Sequence, residues 1–376
     1  PASRPGAPEG ADVATRRDDG GSARPGARAP IAGVRSLLPL LGKPTAFFAS
    51  PEAAAIGENL LLWQRTNGGW PKNVDMTRAL DPGERERLFA DRGDADTTID
   101  NGATFTQVRF LARLHAAGRD GRFRDAAERG LAFLLAAQYP NGGWPQYFPL
   151  RDDYSRDVTF NDGAMTGVLD LLLDVGEGRE PFGWADETLR ARARAAVAKG
   201  VEAILAAQVV VDGRPTAWGA QHDAVTLKPS AARRFEPVAL ASAESAGVAR
   251  FLMRLPDPSP QVVAAVDAAV AWLRSARIDG LRIERRDAPE LPGGVDVVAT
   301  PDPSAPPVWA RFYEVGTNRP VFSGRDGVVR SSLGEIEHER RTGYAWYVDS
   351  PATLLEKDHT AWKAKLASGP SKRGAP

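Results

Sequence analysis

The stretch Leu62-Trp63-Gln64, followed by Asn67-Gly68-Gly69-Trp70-Pro71, returns later in the chain as Ala136-Ala137-Gln138 followed by Asn141-Gly142-Gly143-Trp144-Pro145. A looser third copy consists of Ala206-Ala207-Gln208, then Asp212-Gly213 and Trp218-Gly219. Each interval between copies has room for two helices and their loops. We therefore predict helical hairpins that repeat around a ring.

Helical periodicity fills the segments around these copies. Apolar residues recur at three- and four-residue spacing from Leu189 to Leu205 and from Val262 to Leu273, which is typical of amphipathic helices. Ser50-Pro51 and Ser259-Pro260 each predict a helix start, with a capping hydroxyl before a proline at the first helical position. Strand-like alternation is scarce, and the best candidates are Val209-Val210-Val211 and Leu281-Arg282-Ile283. The expected fold is mostly α, with a few short strands and long loops.

The glycines in each copy predict a turn at the end of a helix, because Asn-Gly and Gly-Gly accept the positive φ that reverses the chain. The tryptophan that follows then closes the mouth of the barrel. Trp70 and Trp144 fit either of two roles, a packing plug or a platform on which a sugar stacks. Their repetition favours an architectural role.

Composition excludes several function classes. The 376 residues carry 48 basic and 48 acidic side chains and no cysteine. The balanced charge offers no global attraction to nucleic acid, and the lack of cysteine excludes disulfides, thiolate metal sites and a cysteine nucleophile. No uninterrupted apolar run is long enough to span a bilayer. We expect a monomer that binds neither nucleic acid nor membrane.

Domain boundaries follow from a change in composition. Residues 1–45 are predicted to form a flexible N-terminal tail, since the first 32 are mainly Pro, Gly, Ala and Arg and cannot bury a core. Residues 46–366 are predicted to form one helical catalytic domain, and residues 367–376 a flexible C-terminal tail. A basic arm for nucleic acid is the weaker interpretation of either end.

Three arginine-centred clusters stand beside aromatic residues in turn-rich sequence. They are Ala232-Arg233-Arg234-Phe235-Glu236, Arg311-Phe312-Tyr313-Glu314 and Arg325-Asp326-Gly327. A guanidinium can hold a carboxylate through two parallel hydrogen bonds and can stack on a ring. The clusters therefore suggest a cleft for an anionic polymer such as a polyuronide, although ordinary surface ion pairs with the neighbouring acids would look the same in sequence.

Carboxylates cluster in two equivalent segments, Asp94-Ala95-Asp96-Thr97-Thr98-Ile99-Asp100-Asn101 and Phe160-Asn161-Asp162-Gly163. Each is predicted to open a helix, where Asp and Asn are favoured as N-caps. Two equivalent starts that face one mouth could instead share an oxygen-ligand site. Such hard donors, without cysteine or clustered histidine, indicate calcium rather than zinc or copper.

Further motifs carry a resemblance to a known family. Gln221-His222-Asp223-Ala224-Val225-Thr226-Leu227-Lys228-Pro229, the Arg233 cluster with Pro237, and Ser242-Ala243-Glu244-Ser245-Ala246 are similar to motifs of family 10 pectate lyases. Thr98-Ile99-Asp100-Asn101-Gly102-Ala103-Thr104 and the Arg311 and Arg325 clusters match as well. The resemblance spans about residues 48–348, with the motifs in the family's order. Phe235 departs from it, since a tyrosine is common there.

This resemblance implies an (α/α)3 barrel or toroid that cleaves α-1,4-linked polygalacturonate by calcium-assisted anti β-elimination and leaves a 4,5-unsaturated sugar. Arg233 falls on the family's catalytic base. Arg311 and Arg325 fall on substrate-binding arginines, and Asp100 and Asp162 on acids of the Ca²⁺ or substrate site. Asn101, Lys228 and His222 occupy flanking motif positions and are expected to bind substrate. The substrate implies a secreted or periplasmic enzyme.

An arginine base requires a lowered pKa, because the ordinary value lies above about 12. We expect Ca²⁺ and the neighbouring Arg234, Arg311 and Arg325 to lower it. His222 is the alternative base, from its ordinary pKa.

Other functions stay open at this level. One is an inverting glycosidase on a helical toroid that uses a pair from Asp96, Asp100, Asp162 and Glu244. Another is a noncatalytic polyuronide-binding toroid. An isoprenoid cyclase fits less well with a mouth supplied with arginines.

Overall fold

Helices dominate the computed structural model of the protein, which describes residues 37–368. The α-helices, in chain order, are α1 (Thr45–Phe48), α2 (Pro51–Trp63), α3 (Pro82–Ala90), α4 (Phe105–Gly118), α5 (Gly121–Ala136), α6 (Ala164–Gly176), α7 (Glu187–Ala207), α8 (Ser242–Arg254), α9 (Pro260–Ser275), α10 (His338–Gly343), α11 (Pro351–Thr353) and α12 (His359–Ala367). A π-helical turn, Leu354–Asp358, joins α11 to α12.

Thirteen short strands form five small antiparallel sheets within the described residues. The strands are β1 (Val158–Thr159), β2 (Val210–Val211), β3 (Arg214–Pro215), β4 (Gln221–His222), β5 (Pro229–Ser230), β6 (Leu240–Ala241), β7 (Leu281–Asp287), β8 (Val295–Pro301), β9 (Trp309–Ala310), β10 (Phe312–Tyr313), β11 (Pro320–Ser323), β12 (Val329–Arg330) and β13 (Tyr347–Val348). Their order is β1-β4-β5, β12-β11-β10-β6, β13-β9, β2-β3 and β7-β8. Only the β7–β8 hairpin has seven-residue strands, and it pairs Leu281 with Pro301 and Asp287 with Val295.

Three helical hairpins form the body of the fold: α4 with α5, α6 with α7, and α8 with α9. The first helices of the hairpins pack side by side in the order α4, α6, α8, and the second helices pack in the order α5, α7, α9. This is the predicted (α/α) toroid, although the described residues do not form a closed barrel. The inner helices α4, α6 and α8 begin beside two contacting turns, Asp100–Gly102 and Asn161–Gly163, and the space bounded by these helix starts and their loops is called the hollow below.

The repeated tryptophans join each hairpin to the next. Their rings are fully buried, and each indole Nε1–H donates to a carbonyl near the end of a preceding helix: Trp70 to Leu60 (2.9 Å), Trp144 to Leu134 (2.8 Å) and Trp218 to Ile204 (2.7 Å). Trp309 makes the same bond to Leu273 (2.7 Å) and is a fourth copy that the sequence did not reveal. The packing role is therefore confirmed, and sugar stacking on these rings is excluded by their burial.

The glycines of the first two copies adopt the predicted backbone. Gly68 has φ of 94° and Gly142 has φ of 92°. At each, an added Cβ would collide with a carbonyl of the following hairpin, that of Arg129 or of Lys199. The glycines thus allow both the reversal of the chain and the close approach of two hairpins.

Several local predictions can be compared with the structure. Ser50 and Ser259 cap α2 and α9 as expected, through the N–H groups of Ala53 (3.2 Å) and Val262 (3.3 Å). The predicted helix from Asp94 is wrong, because α4 begins only at Phe105 and the residues before it form the site loop described below.

The boundaries of the domain also differ from those predicted. Residues 37–45 were assigned to the flexible tail, yet Leu37 is buried and Leu38–Gly42 form a 3₁₀ turn that packs on α4. The predicted C-terminal tail, residues 367–376, begins slightly too early, because Ala367 is the last residue of α12. The remaining tail predictions, for residues 1–36 and 369–376, lie outside the described residues. No helix between residues 37 and 368 has the length and apolarity needed to cross a bilayer.

Candidate active site

The tryptophan anchors place the loops that carry the site. In three copies, the backbone N–H at the start of a loop donates to a tryptophan carbonyl: Thr98 to Trp70 (3.1 Å), Thr159 to Trp144 (3.1 Å) and Ala241 to Trp218 (2.8 Å). A site side chain follows two or three residues later, namely Asp100, Asn161 and Glu244. The fourth copy differs, because Arg311 follows Trp309 itself by two residues and its own N–H donates to the Trp346 carbonyl (2.7 Å). The first three copies therefore place a site residue on an anchored loop, and the fourth places Arg311 beside its tryptophan.

Two of these loops contain the acidic turns that the sequence singled out. Asp100–Gly102 and Asn161–Gly163 are short 3₁₀ turns that contact each other, and Asn101 and Asp162 both have φ of 52°. Asn and Asp tolerate this left-handed conformation better than most residues. Neither Asp100 nor Asp162 caps a helix. The N-cap interpretation is therefore wrong, and the carboxylates are available for other contacts.

Asp100 is buried and bound to a lysine. The Lys72 ammonium donates to Asp100 Oδ2 at 2.5 Å, and it also lies 5.5 Å from the centre of the Tyr147 ring. Asp100 Oδ1 is buried and accepts no hydrogen bond from any described residue. A buried carboxylate oxygen without a donor is costly, so this atom marks a place where a ligand could be accommodated.

Arg311 is the centre of the cluster. Its Nη2 donates to Glu244 Oε1 (2.6 Å), to Asn161 Oδ1 (3.1 Å) and to Asp162 Oδ1 (3.2 Å). Burial alone would lower the pKa of Arg311, but the charge of Glu244 and its other neighbours holds that pKa well above its usual range. Arg311 is therefore a fixed positive charge that ties the second and third copies together.

Arg233 lies on the opposite side of the same hollow. Its Nε and Nη2 donate to the two carboxylate oxygens of Glu236 at 2.8 and 2.7 Å, and the guanidinium lies 4.7 Å from the centre of the Phe235 ring. Burial would lower the pKa of Arg233, but the hydrogen bonds and charge of Glu236 raise it above its ordinary value. The expected lowering by neighbouring arginines is therefore wrong for the protein without substrate.

Tyr344 connects the two arginines. The Arg311 guanidinium lies 4.8 Å and the Arg233 guanidinium 5.6 Å from the centre of its ring. Its hydroxyl donates to Glu236 Oε1 at 2.7 Å. Tyr344 and Lys72 are not recognisable as site residues from the sequence, because neither stands in a motif whose spacing points to its partner. Glu236 stands in the Arg233 motif, where the sequence offers it only as the partner in an ordinary ion pair.

Arg325 occupies the rim rather than the centre. Its side chain is about half exposed and pairs with Glu339 at 2.9 Å, and Glu339 also binds Arg340. Arg340 in turn lies 4.7 Å from the Phe235 ring. Two residues after Arg325, Gly327 lies against Arg234. Arg325 is thus next to the Arg233 segment.

The three further residues that were expected to bind substrate, His222, Lys228 and Asn101, differ in their burial and in their hydrogen bonds. His222 is fully buried, with Nε2 accepting from the Gly219 N–H (3.0 Å) and Nδ1 bonded to the Leu227 carbonyl (2.8 Å). Burial lowers the pKa of His222 to about 4. This histidine has no free nitrogen for a base or a substrate contact and supports the loop instead. Lys228 and Asn101 are exposed, and Asn101 donates to Asn73 at 2.9 Å.

The donor set can be tested for calcium. No group of three His, Cys, Asp or Glu side chains in residues 37–368 is arranged to hold a metal. Asp100 and Asp162, however, stand on contacting turns, supply hard oxygen donors and include the unpartnered Asp100 Oδ1. These residues fit a calcium ion that takes most of its oxygen ligands from water and from substrate carboxylates.

The same geometry argues against Asp162 and Glu244 as the carboxyl pair of an inverting glycosidase. Asp162 Oδ1 and Glu244 Oε1 both contact Arg311 Nη2, at 3.2 and 2.6 Å. Since the two oxygens share one nitrogen, they lie closer together than the roughly 6.5–9.5 Å that an inverting pair needs to admit water. The arrangement serves to bind anions and to hold positive charge.

Comparisons with known proteins agree with this geometry. A family model described as pectic acid lyase matches residues 64–355. A family 10 polysaccharide lyase from Cellvibrio cellulosa has a similar structure, with a TM-score of 0.73, 33% identity, and coverage of 88% of this chain and 99% of that chain. A substitution mutant of that lyase in complex with trigalacturonic acid matches with a TM-score of 0.72, 33% identity, and coverage of 87% of this chain and 99% of that chain. No curated protein sequence matches.

Proposed function

Because the chain belongs to the pectic acid lyase family and is a pectate lyase, we propose that it cleaves α-1,4-linked polygalacturonate by calcium-assisted anti β-elimination, with Arg233 as the base. The single observation that carries this proposal is the meeting of Arg233 and Arg311 at the ring of Tyr344. Two guanidinium groups that converge on one hollow suit a substrate with a carboxylate on every sugar. The complex of the similar Cellvibrio lyase with trigalacturonic acid supports the same substrate class.

The positive groups would acidify the substrate. The hydrogen on the carbon beside a uronate carboxylate is a very weak acid until the negative charge of that carboxylate is balanced. Arg311 supplies a fixed positive charge, and Arg325 at the rim would hold a neighbouring sugar. A calcium ion held by Asp100 and Asp162 would add positive charge beside a substrate carboxylate. Preorganised charges of this kind are worth several kcal/mol in the transition state.

The elimination needs one proton acceptor. Neutral Arg233 would take the C5 proton, the C5–H electron pair would form the C4=C5 double bond, and the C4–O bond would break. The departing oxygen takes a proton from water, and the hydroxide that remains takes the proton from Arg233, which restores the base. The two products are a shortened chain and a chain with a 4,5-unsaturated end. Glu236 holds the resting guanidinium in its protonated form, so only a small neutral fraction reacts at any moment.

The rate should therefore rise with pH. Below the pKa of the base, the neutral fraction grows about tenfold for each pH unit. We expect kcat to climb through the alkaline range. A rate that declines above neutrality would contradict a guanidine base.

The direct experiment is to incubate the protein with polygalacturonate and follow the ultraviolet absorbance of the conjugated product. We expect absorbance to grow, to stop when a chelator removes calcium, and to return when calcium is added back. Arg233→Ala and Arg233→Lys should both abolish elimination while trigalacturonate binding is retained. Saturated products would indicate hydrolysis, and binding without absorbance change would indicate a noncatalytic toroid.

Because the polymer is found outside cells, we further propose a secreted or periplasmic location. We also propose that the enzyme is a monomer.

A further inference from the structure

Glu236 neither takes nor gives a proton in the reaction described above, yet it is held by more hydrogen bonds than either of its oxygens could lose without cost. It is buried, and its two carboxylate oxygens accept four hydrogen bonds: three from Arg233, through its backbone N–H (3.2 Å), Nε (2.8 Å) and Nη2 (2.7 Å), and one from the Tyr344 hydroxyl (2.7 Å). A carboxylate held by so many donors cannot easily turn toward a ligand. Its effect must pass through the groups that it holds.

The contacts select one nitrogen of the guanidinium. Nε and Nη2 of Arg233 are both engaged by Glu236, whereas Nη1 has no hydrogen-bond partner among residues 37–368. The rings of Phe235 and Tyr344, at 4.7 and 5.6 Å, restrict the tilt of the guanidinium plane. The Arg233 side chain is 24% exposed, and Nη1 is not among the buried polar atoms that lack a partner, so this nitrogen has accessible surface.

We propose that Glu236 is a positioning residue, which grips one edge of Arg233 so that Nη1 is the nitrogen presented to the substrate. This inference rests on the proposed role of Arg233 as the base. A guanidinium that turned about its long side chain would spend most of its time in orientations that cannot reach the C5 hydrogen. The hydrogen bonds from Arg233 to Glu236 restrict this rotation before the substrate binds.

The ion pair has a second consequence, because the negative charge of Glu236 also stabilises the protonated form of Arg233. Tyr344 and Tyr154 are the other ionisable groups that face Arg233, and the Arg340 guanidinium also lies 4.7 Å from the centre of the Phe235 ring. Tyr154 and Tyr344 are neutral at moderate pH, since burial raises the pKa of Tyr154 to about 12 and that of Tyr344 well above its usual range. Glu236 therefore supplies the main negative charge that acts on the Arg233 guanidinium. Its effect on the orientation of Arg233 and its effect on the protonation of Arg233 can be separated by substitution.

Two variants test the proposal with different expected results. Glu236→Asp keeps the charge but shortens the reach, so we expect kcat to fall at least about tenfold, with an unchanged pH profile. Glu236→Gln keeps the shape but removes the charge, so the pKa of Arg233 should fall. The pH at which kcat stops rising should then be lower than in wild type by about one unit or more. In both variants KM should stay within about threefold, because Glu236 does not touch the substrate.

The matched control is Glu58→Gln. Glu58 forms a similar two-pronged pair with Arg122 (3.2 and 2.7 Å), but on the exposed surface between α2 and α5. It should leave kcat, KM and the pH profile unchanged. Trigalacturonate binding by calorimetry and thermal unfolding will show whether each variant keeps a folded site; if Glu236→Gln does not fold, Glu236→Asp carries the test.

The outcomes separate this inference from the proposed function. If Arg233→Ala retains elimination, the proposed base is wrong. If Arg233→Ala is inactive but both Glu236 variants keep the wild-type kcat and pH profile, only the positioning role is wrong. A change confined to KM would also overturn that role, because it would place Glu236 in contact with the substrate.

Discussion

The three inner helices carry an arginine–carboxylate cluster toward each end, and the two clusters differ in how completely their polar atoms are paired. Near the C-terminal ends of α6 and α8, Asp174 accepts from Arg179 (3.1 Å) and Arg254 (2.8 Å) through Oδ1 and pairs with Arg109 (2.7 Å) through Oδ2. At the N-terminal ends, Arg311 Nε, Glu244 Oε2 and Asp100 Oδ1 are buried without partners among the described residues.

The difference teaches how to distinguish structural charge from functional charge in this fold. Leaving a buried polar atom unpaired costs about 1–3 kcal/mol. The Asp174 cluster avoids this cost and ties α4, α6 and α8 together. The Arg311 cluster bears the cost at several atoms, which is expected where a ligand completes the hydrogen bonds.

The largest expected effect comes from Arg311→Met. Removal of this charge leaves Glu244 and Asp162 buried and uncompensated, so the free energy of unfolding should fall by about 3–5 kcal/mol. The loss of a charge aimed at the substrate should lower kcat/KM by about 10²–10³-fold or more. Chemical denaturation and the ultraviolet assay measure the two effects. Full activity in this variant would remove Arg311 from the site.

The counterpart at the other end is Asp174→Asn. It should lower the free energy of unfolding by about 3 kcal/mol, at the low end for a broken buried pair because its arginines are partly exposed. Activity below the unfolding transition should stay within about threefold of wild type. If kcat/KM falls as far as in Arg311→Met, the two clusters are not functionally distinct.

A third prediction concerns His222. Its ring is buried, as are the residues of the Arg311 cluster, but both of its nitrogens have partners, as in the Asp174 cluster. Its folded pKa of about 4 lies below the ordinary value of about 6.5, so the folded state favours the neutral ring. The associated stability is complete above pH 6.5, declines as the unfolded chain takes up protons, and is lost by about pH 4, a total of roughly 3 kcal/mol. Denaturation at several pH values should show this decline in wild type.

The matched variant is His222→Asn, which should be less stable near neutrality but should lack most of that decline. A wild-type curve that is flat between pH 6.5 and 4 would contradict a neutral, buried His222. Since His222 is not the base in our proposal, the variant should keep the alkaline rise in rate.

The smallest expected effect is that of Arg325→Ala. The side chain is half exposed and paired with Glu339, so its removal should hardly change stability. As a rim contact to a further sugar, it should raise KM for polygalacturonate by about threefold to tenfold and leave kcat nearly unchanged. A large fall in kcat would move Arg325 from the rim to the reacting sugar.

The sequence predicted those parts of the fold that depend on local chemistry. The Asn-Gly-Gly-Trp-Pro repeats predicted the hairpins, and the Ser-Pro pairs predicted the starts of α2 and α9. The fourth tryptophan, Trp309, was missed because the β7–β8 hairpin separates it from α9 and disrupts the spacing. The loop before α4 was predicted as a helix because its Asp and Asn residues resemble N-caps.

The site was only partly predictable, since its pairings connect distant residues. Arg311 and Glu244 are separated by 67 positions, and nothing in either motif names the other. Arg233 and Glu236 are only three residues apart, so their ion pair is visible in the sequence, but its effect on the pKa of Arg233 depends on the burial of both side chains. Calcium binding by Asp100 and Asp162 and the roles of the arginines stay predictions.

The bond from each indole to the carbonyl behind it has an implication for how this protein could diversify. In the first three copies the site residue follows, by two or three positions, a backbone N–H that is bonded to the tryptophan carbonyl, so a side chain can be exchanged in one of these copies without displacing the backbone of the others. Copy number one contributes an acid, number two an amide and an acid, number three an acid and number four a cation. New specificities would therefore be sought by substituting the site residue of one copy while the tryptophan hydrogen bonds that hold the backbone stay unchanged.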